Sequence, residues 1–192
     1  MAARPVTPSQ TVGPFFHFAL ERAGWNDLTR GDPRGERIVI EGRVLDGEQA
    51  PCDDALLEIW QANAAGRYAH PDDPQPEELL DPGFTGFGRA LTDASGRYRF
   101  VTIRPGRVPG PGRALQAPHV SLTVFARGLL RGLATRIYFA DEPSNADDPV
   151  LSSIADPAAR RTLLALRQPG PEAIYRFDLV LQGEGETAFF EL

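Results

Sequence analysis

Short stretches in which apolar and polar residues alternate are the main pattern of this chain after position 36. Such stretches, rich in β-branched residues, are typical of strands that bury one face. Turn residues such as Asp46 and Gly47 separate them. The pattern predicts strands at residues 37–45, 55–61, 87–92, 97–103, 119–126, 134–139, 175–182 and 187–190. About eight short strands with little helix predict an all-β fold, a β-sandwich.

One or two short helices complete this prediction. Residues 156–167 (DPAARRTLLALR) are predicted as a helix, with Asp156 as its cap and Pro157 in its first turn. Residues 19–25 are a second, shorter candidate. Before them, Pro8 and Pro14 interrupt the chain, so we expect residues 1–36 to form an irregular N-terminal arm with a short helix. Since no linker is visible, residues 1–192 are expected to form a single domain.

Composition narrows the function classes. The chain is 42% hydrophobic and 24% charged, which is typical of a globular protein. A net charge of −6 and the lack of a basic run argue against nucleic-acid binding. Cys52 is the one cysteine, so neither an internal disulfide nor a zinc motif is expected. The N-terminus lacks an apolar signal core and no stretch is long enough to span a membrane, so we expect a cytoplasmic protein.

The candidate metal ligands are histidines and tyrosines. The chain has three histidines (His17, His70, His119) and four tyrosines (Tyr68, Tyr98, Tyr138, Tyr175) that could build a nitrogen and phenolate metal site. A single histidine in an apolar strand is more often structural, and a tyrosine at a strand end is usually a core residue. Residue types alone therefore do not predict a metal site.

Sequence context changes this interpretation. Residues 63–68 (NAAGRY), 93–98 (DASGRY) and 117–119 (APH) resemble the ligand-bearing segments of the intradiol ring-cleaving dioxygenases. The resemblance implies a mononuclear ferric site of two tyrosines and two histidines, the second histidine two positions after the first. Residues i and i+2 of a strand share a face, so such a pair can grip one ion. Here Ser121 stands at that position, so the resemblance implies remnant ligand positions at Tyr68, Tyr98 and His119 with no intact metal site.

Three longer stretches indicate a subtype of this family. Residues 7–16, residues 117–128 followed by 135–139, and residues 175–190 are similar to the iron-free, alpha-type subunits of its two-chain members. The resemblance implies that Fe(III) lies in a homologous beta subunit, that the substrates are O2 and a catechol bearing a carboxylate, and that alpha–beta pairs form a higher oligomer. It gives this chain no catalytic residue of its own, but substrate contacts at Thr11, Gly13, Pro14 and Arg127. A rigid Gly-Pro bend and a permanent cation suit that role.

Other interpretations remain open at this point. Thr11 to Pro14 could be a docking motif, and Arg127 a surface charge at a strand end. A complete single-chain dioxygenase needs both histidines, and Ser121 argues against it. A non-catalytic, transthyretin-like β-sandwich binding module shares the strand pattern of residues 42–47 and 92–100, and it would need no sister chain.

Overall fold

The computed structural model describes residues 11, 13, 19–112 and 114–191. Eleven strands occur in this part of the chain: β1 (Arg37–Leu45), β2 (Leu56–Trp60), β3 (Phe87–Leu91), β4 (Arg97–Ile103), β5 (Val108–Pro109), β6 (Leu115–Gln116), β7 (His119–Phe125), β8 (Leu133–Phe139), β9 (Leu164–Arg167), β10 (Ile174–Arg176) and β11 (Leu179–Val180). Two α-helices, α1 (Pro149–Ser153) and α2 (Pro157–Arg161), and two 3-10 segments, Glu77–Leu79 and Pro143–Asp147, accompany them. The predicted all-β fold with short helices is confirmed.

The strands form two layers that are joined along one side by β9. One layer has the order β4-β1-β10-β9, and the other has the order β3-β2-β7-β8-β9. Leu164 and Ala165 of β9 pair with β8, whereas Leu166 and Arg167 pair with β10. The same short strand therefore belongs to both layers and closes that side of the sandwich.

The other side of the sandwich is closed by residues 25–28. The carbonyls of Trp25 and Asn26 accept from the amides of Arg89 in β3 and Val101 in β4. The amide of Leu28 donates to the carbonyl of Val101. These bonds occupy backbone groups that a helix would use, and the predicted helix at residues 19–25 is helical in the structure at residues 19 and 20 and turns at residues 23–26.

Alternate residues of each strand fill the space between the layers. Val120, Leu122 and Val124 of β7 belong to this main core, together with Tyr98 and Phe100 of β4. Burying a side chain of this size contributes about 1.5–3 kcal/mol, so the alternation fixes which face of β7 points inward. The other residues of β7, beginning with the residue at position 119, consequently face away from the main core.

The predicted helix at residues 156–167 is wrong in its second half. Helix α2 ends at Arg161, although the side chain of Asp156 caps it as predicted by accepting from the amide of Ala158 at 2.8 Å. Residues 164–167 form β9 because strands on both sides pair with them. Tertiary pairing of this kind overrides local helix propensity.

The C-terminal strands are shorter than predicted. The stretch 175–182 is divided between β10 and β11, both parallel to β1. The stretch 187–190 makes one isolated bridge, between Phe190 and Ala134. No described helix is both long enough and apolar enough to cross a lipid bilayer.

Candidate functional site

The outer face of the layer that contains β7 brings several polar and aromatic side chains together. Trp60, Ser121 and Arg136 lie directly opposite one another across β2, β7 and β8. In the next row along the strands, His119 lies opposite Tyr138. Directly opposed residues of antiparallel strands have Cβ atoms about 4.5–5.5 Å apart, so their side chains meet on one face. Together with Tyr68, these five residues are called the outer-face cluster.

Tyr68 joins the cluster through the ring of Trp60. The two rings are stacked, with centroids 5.9 Å apart and planes at 13°. The preceding turn is held by Asn63, whose Oδ1 accepts from the amides of Ala65 and Arg67 at 2.9 and 3.1 Å. Burial raises the pKa of Tyr68, and the charge of Arg136 opposes this rise. The hydroxyl is therefore a neutral phenol at physiological pH.

His119 is held in one tautomer. Its Nδ1 lies 2.8 Å from the carbonyl oxygen of Ala117, and 3% of the residue is exposed. Burial, assisted by the charge of Arg136, lowers the pKa of His119 to about 4. The neutral ring donates from Nδ1 and keeps Nε2 unprotonated, which is the arrangement found in metal-ligating histidines.

Arg136 is the charged residue of the cluster, and sequence reasoning assigned it no role. Its Nη1 donates to Oε1 of Gln116 at 2.7 Å and to the hydroxyl of Tyr138 at 3.2 Å. The Tyr138 hydroxyl donates in turn to Oδ1 of the fully buried Asp148 at 3.2 Å. Burial raises the pKa of Tyr138 to about 12. Alternation within β8 was the available signal, because Ile137 and Phe139 face the main core and leave positions 136 and 138 on the outer face.

Tyr98 does not belong to this cluster, so its prediction as a remnant ligand position is wrong. It lies in the main core between the layers, whereas His119 is on the outer face of β7. Its hydroxyl donates to the carbonyl of Phe177 at 2.6 Å. Burial raises the pKa of Tyr98 well above its usual range. The β-sheet itself separates Tyr98 from His119, and no side-chain rotation can bring the two together.

The outer-face cluster does not fit a ferric ion. Ser121 offers a neutral hydroxyl where a second imidazole is needed, and the second tyrosine is on the far side of the sheet. The guanidinium of Arg136 brings a permanent positive charge to the same place. Among the described residues, no group of three or more His, Cys, Asp or Glu side chains is arranged to hold a metal ion.

Of the predicted substrate contacts, Arg127 is separate from the cluster. Arg127 follows the end of β7 that is remote from His119, and its guanidinium bonds to Asp53 at 3.1 Å and Asp54 at 3.2 Å. Its side chain is 74% exposed. Thr11 and Gly13 are exposed, and Pro14 lies outside the described residues. The role of all four in substrate binding stays a prediction.

Comparison with known proteins finds dioxygenases. A family model described as "Dioxygenase" matches residues 12–183. The protocatechuate 3,4-dioxygenase alpha chain of Pseudomonas putida is 42% identical over 97% of this chain and 96% of its own length. The beta chain of the Burkholderia cepacia enzyme is 40% identical over 95% of this chain and 78% of its own.

A solved structure supports the same relationship. The dioxygenase domain of a carbohydrate-binding fusion protein from Streptomyces sp. SirexAA-E superimposes with a TM-score of 0.62 at 30% identity. The match covers 92% of this chain and 98% of that domain. The sandwich and these matches define a dioxygenase-type protein. The chain belongs to the intradiol dioxygenase family, whose members depend on iron.

Proposed function

We propose that this chain is the alpha subunit of a cytoplasmic protocatechuate 3,4-dioxygenase. The carrying observation is the 42% identity to an alpha chain over nearly the full length of both proteins. The altered ligand set of the outer-face cluster supports the same assignment, because a subunit without its own iron does not need Ser121 to be histidine. The alternative of a transthyretin-like module is disfavoured by the family match across residues 12–183.

The proposed reaction is the cleavage of protocatechuate by O2 between its two hydroxylated carbons, which gives 3-carboxy-cis,cis-muconate. A ferric ion in a homologous beta subunit would supply the Lewis acid. This chain would wall the substrate pocket at the subunit interface, through Thr11, Gly13 and Pro14 of the arm and through Arg127. Many alpha–beta pairs would assemble into a larger particle.

Within this chain Arg127 is paired with the carboxylates of Asp53 and Asp54, which an anionic ligand would have to displace. Its ion pairs with Asp53 and Asp54 are largely exposed on the arginine side. Exposed pairs contribute about 0–1 kcal/mol each, so the guanidinium can turn away from them at small cost. A carboxylate held in a water-excluded interface would gain a stronger, charge-assisted contact. The side chain therefore suits recognition of the carboxylate of protocatechuate.

Kinetics of the assembled enzyme test this role. Arg127→Ala should raise KM for protocatechuate about tenfold or more, because a charge-assisted hydrogen bond contributes about 1.5–3 kcal/mol. Arg131→Ala is the matched control, since Arg131 is an exposed arginine in the same connection after β7. Wild-type kinetics in both variants would show that Arg127 is a surface charge with no role in substrate binding.

Iron analysis tests the assignment as a whole. This chain should co-purify with a beta chain and carry about one ferric ion per pair, and the isolated chain should carry none. Iron bound stoichiometrically to the isolated wild-type chain would overturn the proposed division of labour. Failure to pair with any homologous chain would favour the binding-module alternative.

A further inference from the structure

We propose that Arg136 is a built-in cation that takes the position of a metal ion in the outer-face cluster and excludes ferric iron from this chain. The inference rests on the proposed function, because it explains how one subunit of a pair with a common fold remains free of iron. It assigns the exclusion to an added positive charge as well as to the missing histidine.

The register of strands β7 and β8 places Arg136 beside position 121. Ser121 and Arg136 are directly paired across β7 and β8, so a histidine placed at position 121 would direct its ring toward the guanidinium. His119 and Tyr138 form the adjacent pair, and the centroids of their rings are 5.5 Å apart. Arg136 is thus next to both positions that a His-x-His chelate would use.

The guanidinium of Arg136 is hydrogen-bonded to side-chain oxygen atoms. Nη1 of Arg136 is surrounded by oxygen atoms, Oε1 of Gln116 at 2.7 Å and the hydroxyl of Tyr138 at 3.2 Å. These are hard donors of the type that a cation prefers. The guanidinium uses them as hydrogen-bond acceptors and connects β8 to Gln116 of β6.

The buried negative charge close to Tyr138 is already compensated by hydrogen bonds. The fully buried carboxylate of Asp148 accepts from the amides of Ala117, Val150 and Leu151 and from the Tyr138 hydroxyl. It is therefore not free to compensate an additional trivalent ion. The guanidinium of arginine carries a permanent positive charge. Replacing Ser121 alone would leave this repulsion in place.

The experiment uses four full-length chains: the wild type, Ser121→His, Arg136→Gln and the double variant. Each is titrated with ferric nitrilotriacetate, and both the visible phenolate-to-iron absorption band and the iron retained after gel filtration are measured. We expect the double variant to bind ferric iron at least about tenfold more tightly than Ser121→His, because a neutral side chain removes a close positive charge. Arg136→Lys combined with Ser121→His keeps the charge and should remain free of iron.

Three results would overturn the inference. Ser121→His could bind iron as tightly as the double variant, the lysine variant could bind equally well, or a folded double variant could bind none. Thermal melting establishes folding, and Arg136→Met with Ser121→His replaces the double variant if that chain does not fold. As a second measurement, iron per assembled alpha–beta pair should rise from about one to about two in the double variant.

Failure of this inference can be distinguished from failure of the proposed function. If only the Arg136 inference fails, the wild-type pair will still be active, with its iron in the beta chain. Failure of the proposed function would instead appear as wild-type chain that neither pairs nor supports protocatechuate cleavage.

Discussion

At the scale of single residues, His119 makes stability depend on pH. The folded imidazole takes up its proton near pH 4, whereas the unfolded one does so near the ordinary histidine pKa of 6.5. Between these values the unfolded state binds more protons, so stability is complete above pH 6.5 and is lost as pH falls toward 4. The expected loss is up to about 3 kcal/mol, measured by urea unfolding at a series of pH values. His119→Gln should remove this component, and His70→Gln, at an exposed position, should leave it intact.

The two tyrosines of the Gly-Arg-Tyr sequences should respond differently to the loss of their hydroxyls. Tyr98→Phe removes the 2.6 Å bond to the carbonyl of Phe177 and leaves that buried acceptor without its partner. The expected cost is about 1–3 kcal/mol of unfolding free energy. Tyr68→Phe keeps the ring stacked on Trp60 and should change stability by less than about 0.5 kcal/mol. Equal effects would contradict the placement of Tyr98 in the main core.

At the scale of elements, the two helix caps offer a matched comparison. Asp148 and Asp156 each precede a proline that begins a five-residue helix. Asp156→Ala should cost about 1 kcal/mol, as at an exposed cap. Asp148→Ala should cost about 3 kcal/mol or more, because the fully buried carboxylate also binds the amide of Ala117 and the hydroxyl of Tyr138. Thermal melts of both variants measure the difference, and similar losses would refute the structural role of Asp148.

Elements whose conformation is set by their own residues can be predicted from the sequence, whereas elements set by pairing with distant strands cannot. Strand β1 is predicted with its observed bounds because nine residues form an apolar-rich stretch that a turn follows. Strand β9 is missed because its sequence suits a helix, and only strands distant in sequence make it extended. Likewise Tyr68 and Tyr98 follow the same Gly-Arg pair, and the motif cannot tell which face each will occupy. Register with β1 decides this for Tyr98, and stacking on Trp60 decides it for Tyr68.

At the scale of the whole molecule, Leu130 indicates where a partner chain would cover the surface. It is 82% exposed and lies three residues after Arg127, beyond the end of β7. If Arg127 faces the substrate pocket of a partner, Leu130 is close enough to be buried by the same partner. Burial of a leucine contributes about 1.5–3 kcal/mol, and an unpaired charge in its place would oppose association.

We therefore expect Leu130→Glu to weaken the alpha–beta pair by about tenfold or more, measured from dissociation on dilution by mass photometry. Leu166→Glu is the control, because Leu166 is also exposed, at 59%, but lies on β9 at the side of the sandwich. A selective effect of Leu130→Glu would link the surface near Arg127 to the subunit interface. Pairing that is equally insensitive to both changes would separate Arg127 from the interface, and with it from the proposed substrate pocket.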